Sequence, residues 1–154
     1  MHKLVYLSLG SNVGDRAANL NDAIARLRTL GEVVSVSSFY ETEPVEFSAQ
    51  PWFLNCAAKL DTEKMPKQLM ASILEVEQQM GRRRRREQTK GPRTIDIDIL
   101  FYGDVVMKTG DLEIPHARIA QRRFVLEPLA EIAPELRHPI THRTAREMLA
   151  ALSC

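Results

Sequence analysis

Asp96 and Asp98 are separated by a single residue inside the alternating stretch Thr94–Tyr102. In an extended strand, residues two apart project from the same face, with Cα atoms roughly 6.6 Å apart. Two carboxylates at that spacing can share a hard cation. Magnesium prefers oxygen ligands and commonly takes one or two carboxylates, with substrate phosphates completing its shell. The plainer reading is a strand that shows its polar face to water. The preceding residues shift the balance. Residues 82–93 hold seven of the 21 basic residues (Arg82 to Arg86, Lys90 and Arg93) and one acid, Glu87. A charge run is ordinarily a solvated loop, but guanidinium groups fork onto phosphate oxygens and stay charged at any physiological pH. Arg93 lies five positions before Asp98. Carboxylates for a metal beside arginines for phosphates are what nucleotide phosphate transfer requires.

The familiar phosphate-binding sequences are absent: neither G-x-x-x-x-G-K-[ST] nor G-x-G-x-x-G occurs, and the seven glycines are scattered. A bound nucleotide must therefore be held by side chains and metal. His116, after Pro115 at a predicted strand end, is placed to donate to a phosphate; its plainer role is a surface or structural histidine. His138 and His142 have the four-residue spacing of helical ligands, but Pro139 between them argues against a continuous helix, and they read as structural or exposed.

The elements that must position these residues follow from periodicity. Lys3–Leu9 alternates as a strand. Leu20, Ile24 and Leu27 recur at helical spacing, with Asp15 as N-cap and Gly31 as the residue beyond the C-terminus. Glu32–Thr42 reads as one strand, 43–51 as a proline-bracketed loop and Trp52–Leu60 as another strand. Pro66 suits the first turn of a helix whose buried stripe is Leu69, Ile73, Val76 and Met80. In Thr94–Tyr102, Ile95, Ile97, Ile99 and Phe101 fall on one face and the two aspartates on the other. A short hairpin is expected over Asp104–Ile114, helical pieces broken by Pro128 and Pro134 over Arg118–Glu135, and a last helix opened by a capping box, Thr144 with Glu147. The order β-α-β-β-α-β with helical additions points to an α+β fold, a ferredoxin-like sandwich whose antiparallel sheet is covered on one side by helices.

Composition is consistent with a single domain over residues 1–154. The 154 residues carry 21 basic and 20 acidic side chains, a net charge of +1, which disfavours a generic polyanion binder. The longest apolar run, Met148–Leu152, is far short of the ~20 residues of a membrane helix. The start, Met1 to Leu4, lacks the apolar core of a signal peptide, and two cysteines, Cys56 and Cys154, make no disulfide framework. A reducing, cytoplasmic setting is expected.

The run Gly91-Pro92-Arg93-Thr94-Ile95-Asp96-Ile97-Asp98-Ile99-Leu100 resembles the signature of the 6-hydroxymethyl-7,8-dihydropterin pyrophosphokinases of folate biosynthesis. Gly10-Ser11-Asn12, Ser38 to Thr42, Phe53-Leu54-Asn55, Glu77 with Gly81-Arg82, Pro115-His116, Arg122 with Phe124-Val125-Leu126, and Glu131 to Pro134 extend the likeness over nearly the whole chain. The resemblance implies transfer of the pyrophosphoryl group of ATP to the pterin hydroxymethyl oxygen, leaving AMP. It implies that Asp96 and Asp98 hold two Mg2+ ions bound with ATP, with Asp96 near the pterin hydroxyl. Arg82, Arg84 and Arg93 would lie on a loop that closes over the nucleotide, Arg82 and Arg93 being catalytic. Glu77, Ile99, His116 and Arg122 would complete the ATP site. Thr42, Val45 and Asn55 would meet the pterin edge, and Phe53 and Phe124 would sandwich its ring, although core packing is the plainer role for both phenylalanines.

This chain departs from some relatives in carrying Lys90 in place of an aromatic residue, in a loop one residue longer, and in Arg123 where a small residue can stand. The competing reading, a ferredoxin-like nucleic-acid-binding module using Arg82–Arg86, lacks the aromatic motif of RNA-recognition domains, and Asp96 and Asp98 would repel a phosphate backbone. The expected partners are thus ATP and the hydroxymethyldihydropterin, with no nucleic acid, no membrane and a monomeric protein. Five adjacent arginines cannot all reach one triphosphate, so their effects should be unequal. Arg82→Ala and Arg93→Ala should slow the chemical step severely, whereas Arg83→Ala and Arg85→Ala should be mild, since alternate residues of an extended segment point away. Single-turnover rates at saturating ATP decide this; equal, small losses in all four would reduce the run to a diffuse positive field.

Overall fold

The computed structural model describes residues 2–43, 52–81 and 94–152. Along the chain they form β1 (Lys3–Ser11), α1 (Arg16–Leu27), β2 (Glu32–Val36), β3 (Tyr40–Thr42), β4 (Phe53–Thr62), α2 (Pro66–Gln79), β5 (Asp96–Tyr102), the hairpin of β6 (Met107–Thr109) and β7 (Leu112–Ile114), a 3-10 turn (Ile119–Gln121), α3 (Arg123–Ile132) and α4 (Ala145–Ala151). The main sheet runs β2-β4-β1-β5, with β3 also on β4. Every pairing in it is antiparallel. This is the ferredoxin-like α+β arrangement expected from the element order.

The helices begin where local chemistry satisfies their free amides. Asp15 Oδ1 accepts from Ala18 N at 3.1 Å at the start of α1. Thr144 and Glu147 accept reciprocally from each other's backbone at 3.1 and 2.8 Å at the start of α4. The apolar stripes are also as the spacing predicts: Leu20, Ile24 and Leu27 of α1 and Leu69, Ile73 and Val76 of α2 are buried. Each such side chain contributes about 1.5–3 kcal/mol through removal from water.

Five expectations need correction. The sheet is covered on both faces, not one: Val5, Leu7 and Leu9 join the core under α1 and α2, while Tyr6 and Ala57 face Val125, Leu126, Leu129 and Met148 of α3 and α4. Pro128 does not break its helix; α3 runs through it to Ile132. Its missing N–H costs a bond to Phe124, but burial of Leu126 and Leu129 on either side outweighs that loss. Third, the segment Glu32–Thr42 is two strands. Val36 pairs with Ala58 and Tyr40 with Asn55, so four steps on one side meet three on the other. In the gap, Ser37 donates its N–H to Ala57 O, and its Oγ accepts from Ala57 N, both at 2.9 Å.

Fourth, Phe101 does not share a face with the isoleucines. Tyr6 pairs with Phe101 but Leu7 with Ile99, leaving Leu100 as the extra residue of a β-bulge. Leu100 and Phe101 therefore both face α3 and α4. Fifth, α1 ends at Leu27 with Arg28 as its C-cap, so Gly31 is not its terminator. Gly31 answers a different need: a Cβ there would lie 2.3 Å from the carbonyl oxygen of Asp61. Because that neighbour is backbone, Gly31→Ala should destabilise the fold by about 1–3 kcal/mol, the usual range for overpacking. Thermal melting of the variant should show a Tm several degrees below wild type, and an unchanged Tm would mean that the α1–β2 turn yields freely.

Candidate active site

The two aspartates stand on the α3/α4 face of β5, half-buried, just beyond the point at which helix coverage ends at the buried Leu100. Asp96 is opposite Gly10 of β1, and Asp98 is opposite Ser8. On the other side of β1, Gly10 is opposite Asn55 of β4, which in turn is opposite Tyr40 of β3. A single row thus crosses the sheet: Tyr40, Asn55, Gly10, Asp96. With strands ~4.8 Å apart, Asn55 and Asp96 are separated by roughly 10 Å at the backbone, with only a glycine between them. A side chain could not replace it. A Cβ at Gly10 would lie 2.6 Å from Asn55 Oδ1 and 3.4 Å from the ring of Phe53.

Asn55 is buried, and its Nδ2 donates to the Thr42 hydroxyl. Phe53 and Thr42 are cross-strand partners two residues further along and on the same face. The turn after β1 is held by Asn19, whose Nδ2 donates to Ser11 Oγ at 3.1 Å and Val13 O at 2.8 Å. Glu77 is buried at 1% exposure and accepts the Ile97 N–H at 2.8 Å. It therefore braces the strand between the aspartates from the α2 side. The side chain of Ile99 is in the core under α1 and α2, so only its backbone could meet a ligand.

His116 is anchored to the bulge: its N–H donates to Leu100 O at 3.0 Å. Burial and the neighbouring Arg122 charge lower its pKa, partly countered by Asp96 and Glu113, so the ring is neutral at pH 7. Its Nδ1 accepts from Arg118 N at 3.2 Å, which assigns the remaining proton to Nε2 as a donor. Arg122 precedes α3, and its guanidinium sits over the Phe124 ring, 5.6 Å from the centroid. His138, by contrast, packs edge-on against Phe101 at 5.8 Å. Val45, Arg82, Arg84 and Arg93 lie outside the described residues. The structure thus brings Thr42, Phe53, Asn55, Asp96 and Asp98 together on one face, with His116 and Arg122 electrostatically coupled beside them.

One cluster carried no signal in periodicity. Glu131, in the last turn of α3, accepts from Ser38 N at 2.9 Å and Ser38 Oγ at 3.1 Å through one oxygen, and from the Tyr40 hydroxyl at 2.5 Å through the other. Arg16, from the opposite face, contacts Glu41 at 2.9 Å and donates to Trp52 O at 2.9 Å. Both contacts join residues far apart in sequence. A second cleft, lined in part by His2, Arg28, Asp61 and Lys64, lies at the other end of β1, where Lys3 pairs with Thr62. It shares no residue with the aspartate row.

Fold and site define a ferredoxin-like α+β domain that gathers two carboxylates, a neutral imidazole and a guanidinium beside one sheet face. Residues 6–134 match the family model of 7,8-dihydro-6-hydroxymethylpterin-pyrophosphokinase (HPPK), and the chain belongs to that family. It is 46% identical over 149 residues to the 2-amino-4-hydroxy-6-hydroxymethyldihydropteridine pyrophosphokinase of Methylorubrum extorquens, covering 96% of this chain and 92% of that protein. It is also 41% identical to the folic acid synthesis protein fol1 of Schizosaccharomyces pombe, covering 98% of this chain but 21% of that protein. The chain thus spans about a fifth of the length of that longer relative. The solved structure of wild-type Plasmodium falciparum HPPK-DHPS with pteroate shares the fold at a TM-score of 0.80 and 16% identity, over 98% of this chain and 44% of that one.

The Tyr40–Glu131 contact has a pH signature. The Glu131 bond, burial and the carboxylates of Glu131 and Glu127 push Tyr40 from 10.0 up to about 12, while the Tyr40 and Ser38 donors hold Glu131 below 4.5. A raised tyrosine contributes stability that is complete below its unfolded value and lost as pH climbs through the folded one. A depressed glutamate contributes stability that is complete above its unfolded value and lost as pH falls through the folded one. The difference in Tm between wild type and Tyr40→Phe should therefore be flat between pH 4.5 and 10.0 and shrink on both sides. A difference that varies across that window would show that the contact does not persist in solution.

Proposed function

We propose that the protein transfers the pyrophosphoryl group of ATP to the hydroxymethyl oxygen of 6-hydroxymethyl-7,8-dihydropterin. The hydroxymethyl oxygen bonds to the β-phosphorus, the bond from that phosphorus to the oxygen shared with the α-phosphate breaks, and AMP leaves with the electron pair. The observation that carries this reading is the row Asn55–Gly10–Asp96. It offers a polar anchor at one end, a floor without a side chain in the middle, and a carboxylate at the other end. A flat heterocycle laid on the Phe53 ring, which with Asn55 covers Gly10, would have its amide edge at Asn55 and Thr42 and its hydroxymethyl arm towards Asp96, which would receive the hydroxyl proton. Phe53 and Phe124 would hold the ring faces through offset stacking, with Val45 beside the edge.

Asp96 and Asp98 suit Mg2+, since both are hard oxygen donors on one face of one strand. Phosphates and water would complete the shell of such an ion. When bound, Mg2+ supplies charge neutralisation at the phosphate oxygens. His116 would donate from Nε2 to a phosphate oxygen, and Arg122, Arg82, Arg84 and Arg93 would bring positive charge. Glu77 would act on the nucleotide site through the strand it braces. Catalysis then rests on positioning and preorganised charge, with no covalent protein intermediate.

Incubation with ATP, Mg2+ and the reduced hydroxymethylpterin should yield AMP. ADP would indicate an ordinary kinase. Asp98→Asn preserves shape but removes a metal-binding charge, so kcat should fall by orders of magnitude with the fold intact, and Asp96→Asn should behave alike. Near-normal turnover of either variant at limiting Mg2+ would remove that residue from the metal site.

A further inference from the structure

We propose that Glu131 is a positioning residue for the pterin: it ties the edge strand β3 to α3 and so sets the distance between the two walls of the pterin slot. The inference rests on the reading above, because the walls in question are Thr42 with Asn55 on the sheet and Phe124 on the helix.

The need for such a tie follows from the ladder. β3 has three residues and, among the described residues, pairs with β4 alone. It is also cut off from β2 by the one-residue insertion at 37–39. Three residues of edge ladder fix a strand weakly, yet Thr42 must be held firmly enough for its hydroxyl to orient the buried Asn55 amide. Glu131 adds three hydrogen bonds to this segment, one from the Ser38 backbone and one from each of two hydroxyls, with both carboxylate oxygens engaged.

The same glutamate is matched to the helix. Glu131 and Phe124 are seven residues apart in α3, two turns on one face, roughly 10.5 Å along the axis. Tyr40 and Thr42 are two apart in β3 and so share a face. Fixing Glu131 on Tyr40 thereby fixes the Phe124 face of α3 relative to the Thr42 face of β3. The tie is maintained at working pH, since Glu131 stays ionised and Tyr40 stays protonated. Arg16 meets Glu41 from the opposite side of the sheet, so the strand is braced from both faces.

The test separates a positioning role from a merely structural one. Glu131→Gln leaves one acceptor oxygen where two are needed, and Tyr40→Phe removes a single hydroxyl. With AMP formation by wild type established, KM for the pterin at saturating ATP should rise about tenfold in Glu131→Gln, the scale of losing a hydrogen bond to a charged acceptor. A smaller rise is expected in Tyr40→Phe. KM for ATP and kcat should stay within about twofold. The rise in the double variant should be less than the product of the two single effects, because the tyrosine acts only through residue 131. A lowered Tm with the pterin KM unchanged in both variants, or an ATP KM that rises in step, would overturn the proposal while leaving the reaction standing. Absence of pterin-dependent AMP from wild type would instead overturn the reaction and this inference with it.

Discussion

The arrangement of the site depends on the register of β1 between β4 and β5. β1 pairs with β4 over Lys3–Ser11 and with β5 over Val5–Gly10, and antiparallel pairing aligns positions that are far apart in sequence. Residues 55 and 96 become neighbours only because each is matched to Gly10. A slip of one residue in either ladder would turn that strand's polar set towards the α1/α2 core and its apolar set outward. The burial of Leu7, Leu9, Cys56, Ala58, Ile97 and Ile99 on one face therefore fixes the register at which Asn55, Gly10 and Asp96 form a row on the other. Core packing sets the site geometry without touching it.

The bulge at Leu100 solves a conflict that this register creates. Strict alternation from Asp96 would put Phe101 among the isoleucines and Tyr102 opposite them. By inserting one residue, β5 keeps both aspartates on the open face and still delivers two adjacent apolar side chains, Leu100 and Phe101, to the layer under α3 and α4. The carbonyl of the extra residue then accepts from His116 N. One irregularity thus ends the helix-covered zone, begins the open one and anchors the imidazole beside it, in line with the tendency of bulges to sit next to functional sites.

What could be read directly from the chain was whatever repeats locally. The stripes of α1 and α2, the caps at Asp15 and Thr144 and the paired aspartates are all set by spacings of two to four residues. The second helical layer is hidden in the sequence because Pro128 reads as a break, although Val125, Leu126 and Leu129 carry the apolar face that packs on the sheet. The split of β2 from β3 and the bulge in β5 were equally invisible, since a period of two says nothing about a partner strand's register. Glu131 is the extreme case: a lone acid in a helix has no local partner, and its three donors lie more than ninety residues earlier. The basic run was legible as composition, but its geometry belongs to residues outside those described.

Charge is distributed with a matching logic. Asp96 and Asp98 are half-buried on β5, whereas Glu77 and Glu131, two other acids near the site, accept from backbone or hydroxyl donors of another element. A carboxylate that accepts from fixed donors is a brace, because its position follows theirs. The two with spacing suited to a cation are those on the open face. Two arginines differ in the same way: Arg16 is tied to Glu41 and Trp52 O, while Arg122, at the start of α3, lies over the Phe124 ring. Acids of one type thus serve two purposes in this fold, as braces between elements at Glu77 and Glu131 and as a same-face pair on β5 at Asp96 and Asp98.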